Sequence, residues 1–447
     1  MKISNTLSRI DIYPKVVPVG RPVRLTLRSL DPDYLTSDGY RLDVWAINGD
    51  PEQVTFPNVP YTRLPSPGVG FCFELAFPDE QEYQLRLYDA QGKCALITSV
   101  SALEDDMLRL TPLVGDFHVH TLFSDGAEGP AFVAAKYREA GFDFMAITDH
   151  RRYEPSLRAI AAYSDLDLPF HVYPGEEVHS PGSYVHIVNF GSDHSVNAMA
   201  LADKTLGGWR DKEGDPAWLA EVEMLSAQLT DLPDGVPAHI VASAMLVSRE
   251  VRRGGGLCIF AHPHWRQKVH NVPDVVSEYF LRSGMFDAFE LLGGQSWQEN
   301  QSQLMMFEHM CRGGVDIPIV GDSDSHGTLE KRVGGANWPY RMFTEERTVV
   351  LAEENSRDAI VSAVRAGRTT AIQIFEGQYP QICGGSYRVK QYVLFLLENY
   401  FPLRDRLYAD EGRLMVEYIA GTPGARERLE RTVAENGEFE SKYILRD

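Results

Sequence analysis

The stretch Gly115-Asp116-Phe117-His118-Val119-His120-Thr121, with Ser124-Asp125-Gly126 close behind it, governs how the rest of the chain is read. On an extended strand His118 and His120 project to the same side, close enough for two imidazoles to grip one cation. A single His-x-His pair also arises by chance on an exposed strand. Five further segments take this one out of that class. Thr148-Asp149-His150 closes a short apolar run, Gly175-Glu176-Glu177 closes the next, and His186 lies within the apolar run 184–188. Ala261-His262-Pro263-His264 and Gly321-Asp322-Ser323-Asp324-Ser325-His326 follow. Histidines and carboxylates recurring at successive strand ends predict a shared metal site, because parallel α/β architectures bring those ends together. His171, His239, His270 and His309 read instead as ordinary core or surface histidines.

Around these motifs, from about Leu113 onward, short apolar segments alternate with helical stretches. Phe144-Met145-Ala146-Ile147 follows an amphipathic stretch at 130–140, and further apolar segments lie at 184–190, 257–261, 288–292 and 318–320. Strands separated by helices predict βα units and a mainly parallel, barrel-like sheet. A helix-rich insertion is expected between about 193 and 256, closing on Gly254-Gly255-Gly256, which reads as a flexible hinge.

Upstream, to about Thr111, the pattern is period-two alternation: Val23, Leu25 and Leu27, then Phe71, Phe73, Leu75 and Phe77, then Tyr83, Leu85 and Leu87. Each set covers one face of a half-buried strand, and the turns Asp31-Pro32-Asp33 and Pro65-Ser66-Pro67-Gly68 punctuate them. Residues 1–112 therefore predict a small all-β sandwich, accessory to the chemistry because it holds no cluster of histidines or carboxylates. Residues 113–376 form the site-bearing unit, and 377–447 a mainly helical extension.

The chain has 447 residues, with 43 Lys and Arg against 63 Asp and Glu, so its formal net charge is −20. An acidic surface of this kind repels phosphate backbones and anionic membranes, which argues against an extended nucleic-acid face or membrane docking. Five scattered cysteines without a CxxC spacing suit reduced thiols of a cytoplasmic protein. Residues 1–14 show no charged start followed by an apolar run, and no apolar run approaches the length of a membrane span.

Taken in order, HxHTxxSDG, TDH, a GxE followed by a strand histidine, AHP and DSDSH resemble the motifs of the polymerase-and-histidinol-phosphatase (PHP) superfamily of metallohydrolases. The resemblance runs from about Leu113 to Phe375. It implies a distorted seven-stranded TIM-like barrel holding three divalent metal ions, Zn, Mn or Fe. By position, His118, His120, Glu177 and Asp324 would hold one metal. A second would share Glu177 with His186 and His262, and a third would take Asp125, His150 and His326. Glu177 is chosen over Glu176 because the family carboxylate stands two residues after the glycine. The β-rich leader and the 184–191 segment resemble the carbaryl-hydrolase-like branch.

The residue chemistry agrees with that implication. Imidazoles and carboxylates without thiolate suit Zn, Mn or Fe. Three divalent ions against three ligand carboxylates leave the pocket cationic, which favours a small anionic substrate, phosphate-bearing above all. A water bridging two metals has its pKa lowered toward neutrality and serves as nucleophile, so no Ser or Cys nucleophile is needed. Asp149, beside His150, is a candidate to orient an imidazole, and His264 a candidate to protonate the leaving alkoxide. Arg151, Arg152 and Arg266 are candidates to pair with phosphate oxygens. The expected activity is phosphoester hydrolysis of a small molecule or short oligonucleotide. The alternatives are ester, carbamate or amide hydrolysis on the same metals, or a non-catalytic metal-binding scaffold.

Overall fold

Strand Pro22–Ser29 buries every second side chain, because Val23, Leu25 and Leu27 alternate with polar residues. The same alternation in Gln81–Tyr88 buries Tyr83, Leu85 and Leu87. The computed structural model, which describes residues 5–36, 39–50, 59–64, 70–203, 212–266, 268–328, 343–375 and 377–446, assembles such strands into two four-stranded sheets. One runs Ile10–Tyr13, Pro22–Ser29, Gly70–Ala76, Thr62–Arg63, and the other Val16–Pro18, Cys94–Leu103, Gln81–Tyr88, Arg41–Ala46. Leu25, Leu27, Phe73, Leu85 and Val100 from both sheets share one apolar core. The Pro65-Ser66-Pro67-Gly68 turn, residues 204–211 of the insertion and residue 376 lie outside the described residues.

The chain forms two compact units. One comprises Met1–Thr111, Lys390–Leu407 and Arg431–Asp447, the other Pro112–Val389 and Tyr408–Glu430. In the first, Lys15 is fully buried with no hydrogen-bond partner for its Nζ, and burial lowers its pKa to about 8 in spite of nearby Asp11. Unfolding restores the ordinary value of 10.5, so between these two pH values the unfolded chain binds more protons and stability rises with pH. Below that window the buried charge costs a constant amount, up to about 3 kcal/mol. Lys15→Met should therefore stabilise the protein at pH 7, with a gain that fades toward pH 10.5. Denaturant midpoints of both proteins across that range check this.

The second unit carries the site motifs on two further sheets. A six-stranded sheet runs His171–Tyr173, Phe144–Ala146, Thr111–Asp116, Glu346–Ala352, Thr369–Gln373, Gln381–Cys383. A five-stranded sheet runs Gly175–His179, His186–Phe190, Leu257–Phe260, Ala288–Leu292, Ile319–Gly321. The expected parallel pairing holds where helices intervene, as between Thr111–Asp116 and Phe144–Ala146 and among the last three strands of the five-stranded sheet. His186–Phe190 departs from it, running antiparallel to both its neighbours. A connection of a few residues after His179 permits only a hairpin. That reversal sets His186 directly opposite His179, so the amino end of one strand meets the carboxyl end of the other. Two isolated bridges tie the sheets together at the motifs themselves, Val119 to Ser325 and His150 to Glu177.

Within the insertion, helices Pro216–Gln228 and Ala238–Arg253 form as expected. Gly254-Gly255-Gly256 is a packed turn and not a hinge. A Cβ on Gly254 would stand 2.0 Å from Ser192 Oγ, and one on Gly256 2.7 Å from Phe190 O. The glycines are there because the backbone passes too close for a side chain. Among the described residues, no helix is long and apolar enough to cross a membrane.

Candidate metal centre

His118 and His120 follow directly on strand Thr111–Asp116, and the bridge at Val119 keeps that backbone extended. Both imidazoles therefore face one side, with their Nε2 atoms 3.2 Å apart. His150 comes from the loop after Phe144–Ala146 and Glu177 from Gly175–His179, with the backbone N–H of Glu177 donating to Thr148 O. His186 opens the antiparallel strand, His262 follows Leu257–Phe260, and Asp324 and His326 follow Ile319–Gly321. Eight of the nine residues named for the metals are thus placed by a strand or its end, Asp125 comes from the turn after His120, and the structure brings all nine together.

They gather in overlapping groups of potential ligand atoms. His120, Asp125, His150 and His326 make one, His118, His120 and Glu177 another. His118, His262 and Asp324 make a third, and Glu177, His186 and His262 a fourth. Glu177 lies between them: Oε1 is 2.8 Å from His186 Nδ1 and 3.3 Å from His262 Nε2, while Oε2 is 3.6 Å from both His118 and His120 Nε2. Asp324 Oδ1 is 3.0 Å from His120 Nε2 and 3.4 Å from His118 Nε2. Asp125 reaches His326 Nε2 at 3.3 Å and His150 Nε2 at 3.5 Å.

Few of these atoms hydrogen-bond one another, the His118–His120 contact being one that does. Both oxygens of Glu177, Asp324 Oδ1 and His186 Nδ1 are buried and make no hydrogen bond. Leaving such groups unpaired is costly, and a cation at their common focus removes the cost. The nitrogen and oxygen donor set, without sulfur, fits a divalent Zn, Mn or Fe ion. His118, His120 and Glu177 are sealed in, whereas the Asp125 and His326 side chains are about 30 % exposed, so the cluster opens toward solvent on their side.

Without a cation, the charges lean on one another. Burial opposes ionisation of Glu177, but His150, His186, His179 and His118 outweigh it and hold the carboxyl well below its usual range. Burial also works against the charged form of His118, yet Asp324, Glu290 and Glu177 keep its pKa well above normal. His120 behaves oppositely: burial and the neighbouring His150 and His326 lower it to about 3. Two candidate ligands, His262 and Asp324, hold positive φ angles of 26° and 44°, and Arg151 beside His150 holds 59°. Non-glycine residues rarely sit there, and such strain gathers at functional sites.

Several residues near the cluster were not singled out in the sequence. His179, two residues after Glu177 on the same strand face, has its Nε2 2.9 Å from His150 Nδ1 and 3.4 Å from Glu177 Oε2. Period-two spacing from Glu177 was the available signal. Glu290, the one carboxylate within the fully buried strand Ala288–Leu292, accepts from His118 Nδ1 at 2.8 Å. That contact turns Nε2 toward the cluster, the usual way a carboxylate orients a metal-binding imidazole. Glu290→Gln should weaken metal affinity by roughly 10–100-fold, measurable by titration against a competing chelator.

The other named residues are placed differently. Asp149 accepts from Thr121 N, Thr121 Oγ1 and Ser124 Oγ, at 2.8, 2.6 and 2.6 Å, and so fixes the turn after His120. Its influence on an imidazole runs through Ser124, whose Oγ lies 3.4 Å from His120 Nδ1. Arg152 is buried, and burial lowers its pKa. Arg151 N donates to Glu177 O. Arg266 is half-exposed and lies against Glu299. His264 turns to His270 and Asp274.

No protein-family model matches the sequence, and no curated protein matches it either. Among solved structures, the chain is similar to a two-domain protein of Bacteroides vulgatus containing a predicted PHP-like metal-dependent phosphoesterase. The identity is 17 %, with 59 % of this chain and 65 % of that one covered and a TM-score of 0.36, so the match spans less than two thirds of that protein. A proposed metal-dependent phosphoesterase of Bifidobacterium adolescentis matches at 19 % identity, over 56 % and 95 % of the two chains, with a TM-score of 0.34. An amidohydrolase of Chromobacterium violaceum matches at 20 % identity, over 50 % and 92 %, with a TM-score of 0.31. The side chains that meet in this chain are those that the PHP resemblance of its motifs singles out.

Proposed function

We propose that this chain is a metal-dependent hydrolase of the PHP kind, cleaving a small phosphoester on a centre of three divalent ions. The observation that carries the reading is the convergence of nine histidines and carboxylates from six chain segments, with the orphaned oxygens of Glu177 shared between groups. His118, His120, Glu177 and Asp324 would hold one ion, Glu177, His186 and His262 a second, and Asp125, His150 and His326 a third. The bridges from Val119 to Ser325 and from His150 to Glu177 support reading the two sheets as parts of one distorted barrel. Five cysteines, all free, suit a reducing, cytoplasmic setting.

Bound metals supply Lewis acidity that polarises the ester and lowers the pKa of the attacking water. The protein's own part is placement. Glu290 aims His118, Asp149 holds the turn behind His120, and the buried floor at His118 and Glu177 keeps bulk water from below. Substrate enters from the Asp125 and His326 side, and Arg152, two residues after His150, is the candidate to draw an anion.

The test is elemental analysis of protein expressed with metals in excess, with turnover on an aryl phosphomonoester, a phosphodiester and a carboxylic ester. At least three equivalents of metal and preference for a phosphoester are expected. One equivalent or none overturns the trinuclear centre, and hydrolysis of the carboxylic ester alone overturns the substrate class.

A further inference from the structure

The segment after His262 builds a second convergence of ligand-type groups, apart from the nine. His264 and His270 stack with ring centroids 4.2 Å apart and planes 14° from parallel. Both face one carboxylate oxygen: Asp274 Oδ1 is 3.2 Å from His264 Nε2 and 3.3 Å from His270 Nδ1. His264 is only 2 % exposed, and neither of its ring nitrogens makes a hydrogen bond, so its contact with Asp274 lacks the needed alignment. A buried imidazole with both nitrogens unsatisfied is costly. The loop is held by backbone bonds, Trp265 N to His262 O, Asn271 N to Trp265 O and Val272 N to Pro263 O.

We propose that His264, His270 and Asp274 form a separate divalent-cation site, of the class that takes Zn. Zn–N and Zn–O bonds near 2.0–2.2 Å place tetrahedral ligand atoms roughly 3.4 Å apart. The two measured separations to Asp274 fall close to that edge length. Two imidazoles and one carboxylate leave a fourth position for water, and the donors suit Zn without sulfur. A cation here satisfies His264 and links the loop to the start of helix Asp274–Ser283. The same loop carries His262 and Trp265, whose ring lies 5.9 Å from that of His186. The proposal does not depend on the catalytic reading, since none of its ligands belongs to the nine.

Asp274 and His270 are the exposed members, so His270→Gln and Asp274→Asn should leave the fold intact, as circular dichroism and melting curves verify. Metal-free protein is titrated with Zn against a chromophoric chelator, and separately with Co, whose visible absorption reports tetrahedral coordination. Each variant should bind one equivalent fewer than the parent and lose the corresponding absorption band, while Glu177→Gln keeps that band. Equal stoichiometry and spectra in parent and both variants overturn the site, whatever the nine-residue cluster binds. Loss of bound metal at the cluster alone, with this equivalent retained, would count against the proposed function and leave this site standing.

Discussion

Replacing Glu177 by glutamine should lower turnover by several orders of magnitude and weaken two metals together, while the fold survives. The variant keeps the shape of the side chain and removes the charge on which His150, His186, His179 and His118 converge. It also replaces an oxygen at the common focus with an amide N–H₂, a donor where a cation needs an acceptor. Its neighbour should respond in the opposite sense. Glu176 points to the other face and accepts from Ser195 Oγ at 2.7 Å, Asn189 Nδ2 at 3.0 Å, Asn197 Nδ2 at 3.0 Å and the backbone of Val196 at 2.5 Å. Every partner is a donor, so Glu176→Gln sets donor against donor in a buried site and costs about 1–3 kcal/mol of stability. Metal content per folded chain should stay at the parental value. Metal analysis, melting temperature and turnover on both variants give a crossed pattern; parental turnover in Glu177→Gln would end the case for a shared ligand.

The largest stability loss is expected at Arg138, which is completely buried. Its Nε donates to Glu411 Oε2 at 2.7 Å, its NH1 donates to Phe142 O at 3.1 Å, and its guanidinium lies 3.2 Å from the Tyr408 ring centroid. Arg138→Met removes the cation that the buried Glu411 carboxylate faces. Breaking one side of a buried pair costs about 3–5 kcal/mol, whereas replacing both partners with apolar residues is often close to neutral. Denaturant unfolding should therefore show a large loss for Arg138→Met, much of it recovered in Arg138→Met with Glu411→Leu. A double variant no better than the single would mean that packing on Tyr408 matters more than the charge.

Much of this was legible because the chemistry is local. Each motif packs its donors into a short segment at or near the end of an apolar run, and a strand end fixes where most of them point. The alternation at Val23, Leu25 and Leu27 was equally direct, since one face of that strand is wet. Where both faces are buried the signal disappears. Glu346–Ala352 is buried at all seven positions and has no period to read, so its place between Thr111–Asp116 and Thr369–Gln373 was invisible. The antiparallel turn of His186–Phe190 depends on a short connection that apolar patterning does not weigh. Glu290 went unremarked because a single carboxylate in an apolar strand gains meaning only from the partner it meets, His118, far away in sequence. The triple glycine misled because a glycine needed for close approach and one needed for motion look alike.

The bridge from Val119 to Ser325, with the hydrogen bonds beside it, also bears on the order in which the molecule comes into being. Phe117 N meets Asp322 across 205 residues of chain, and Ser323 N meets Asp116 across 207. Contacts of that span form late, because the loop they close costs entropy before it returns anything. The donors around Glu177 are therefore complete only when the last strand of the second sheet has docked. A cation held there cannot seed the structure as it does in a zinc finger; it can only register that assembly has finished. In refolding experiments, metal uptake should lag the recovery of secondary structure and coincide with the slowest phase, which makes the ion a reporter of the final closure.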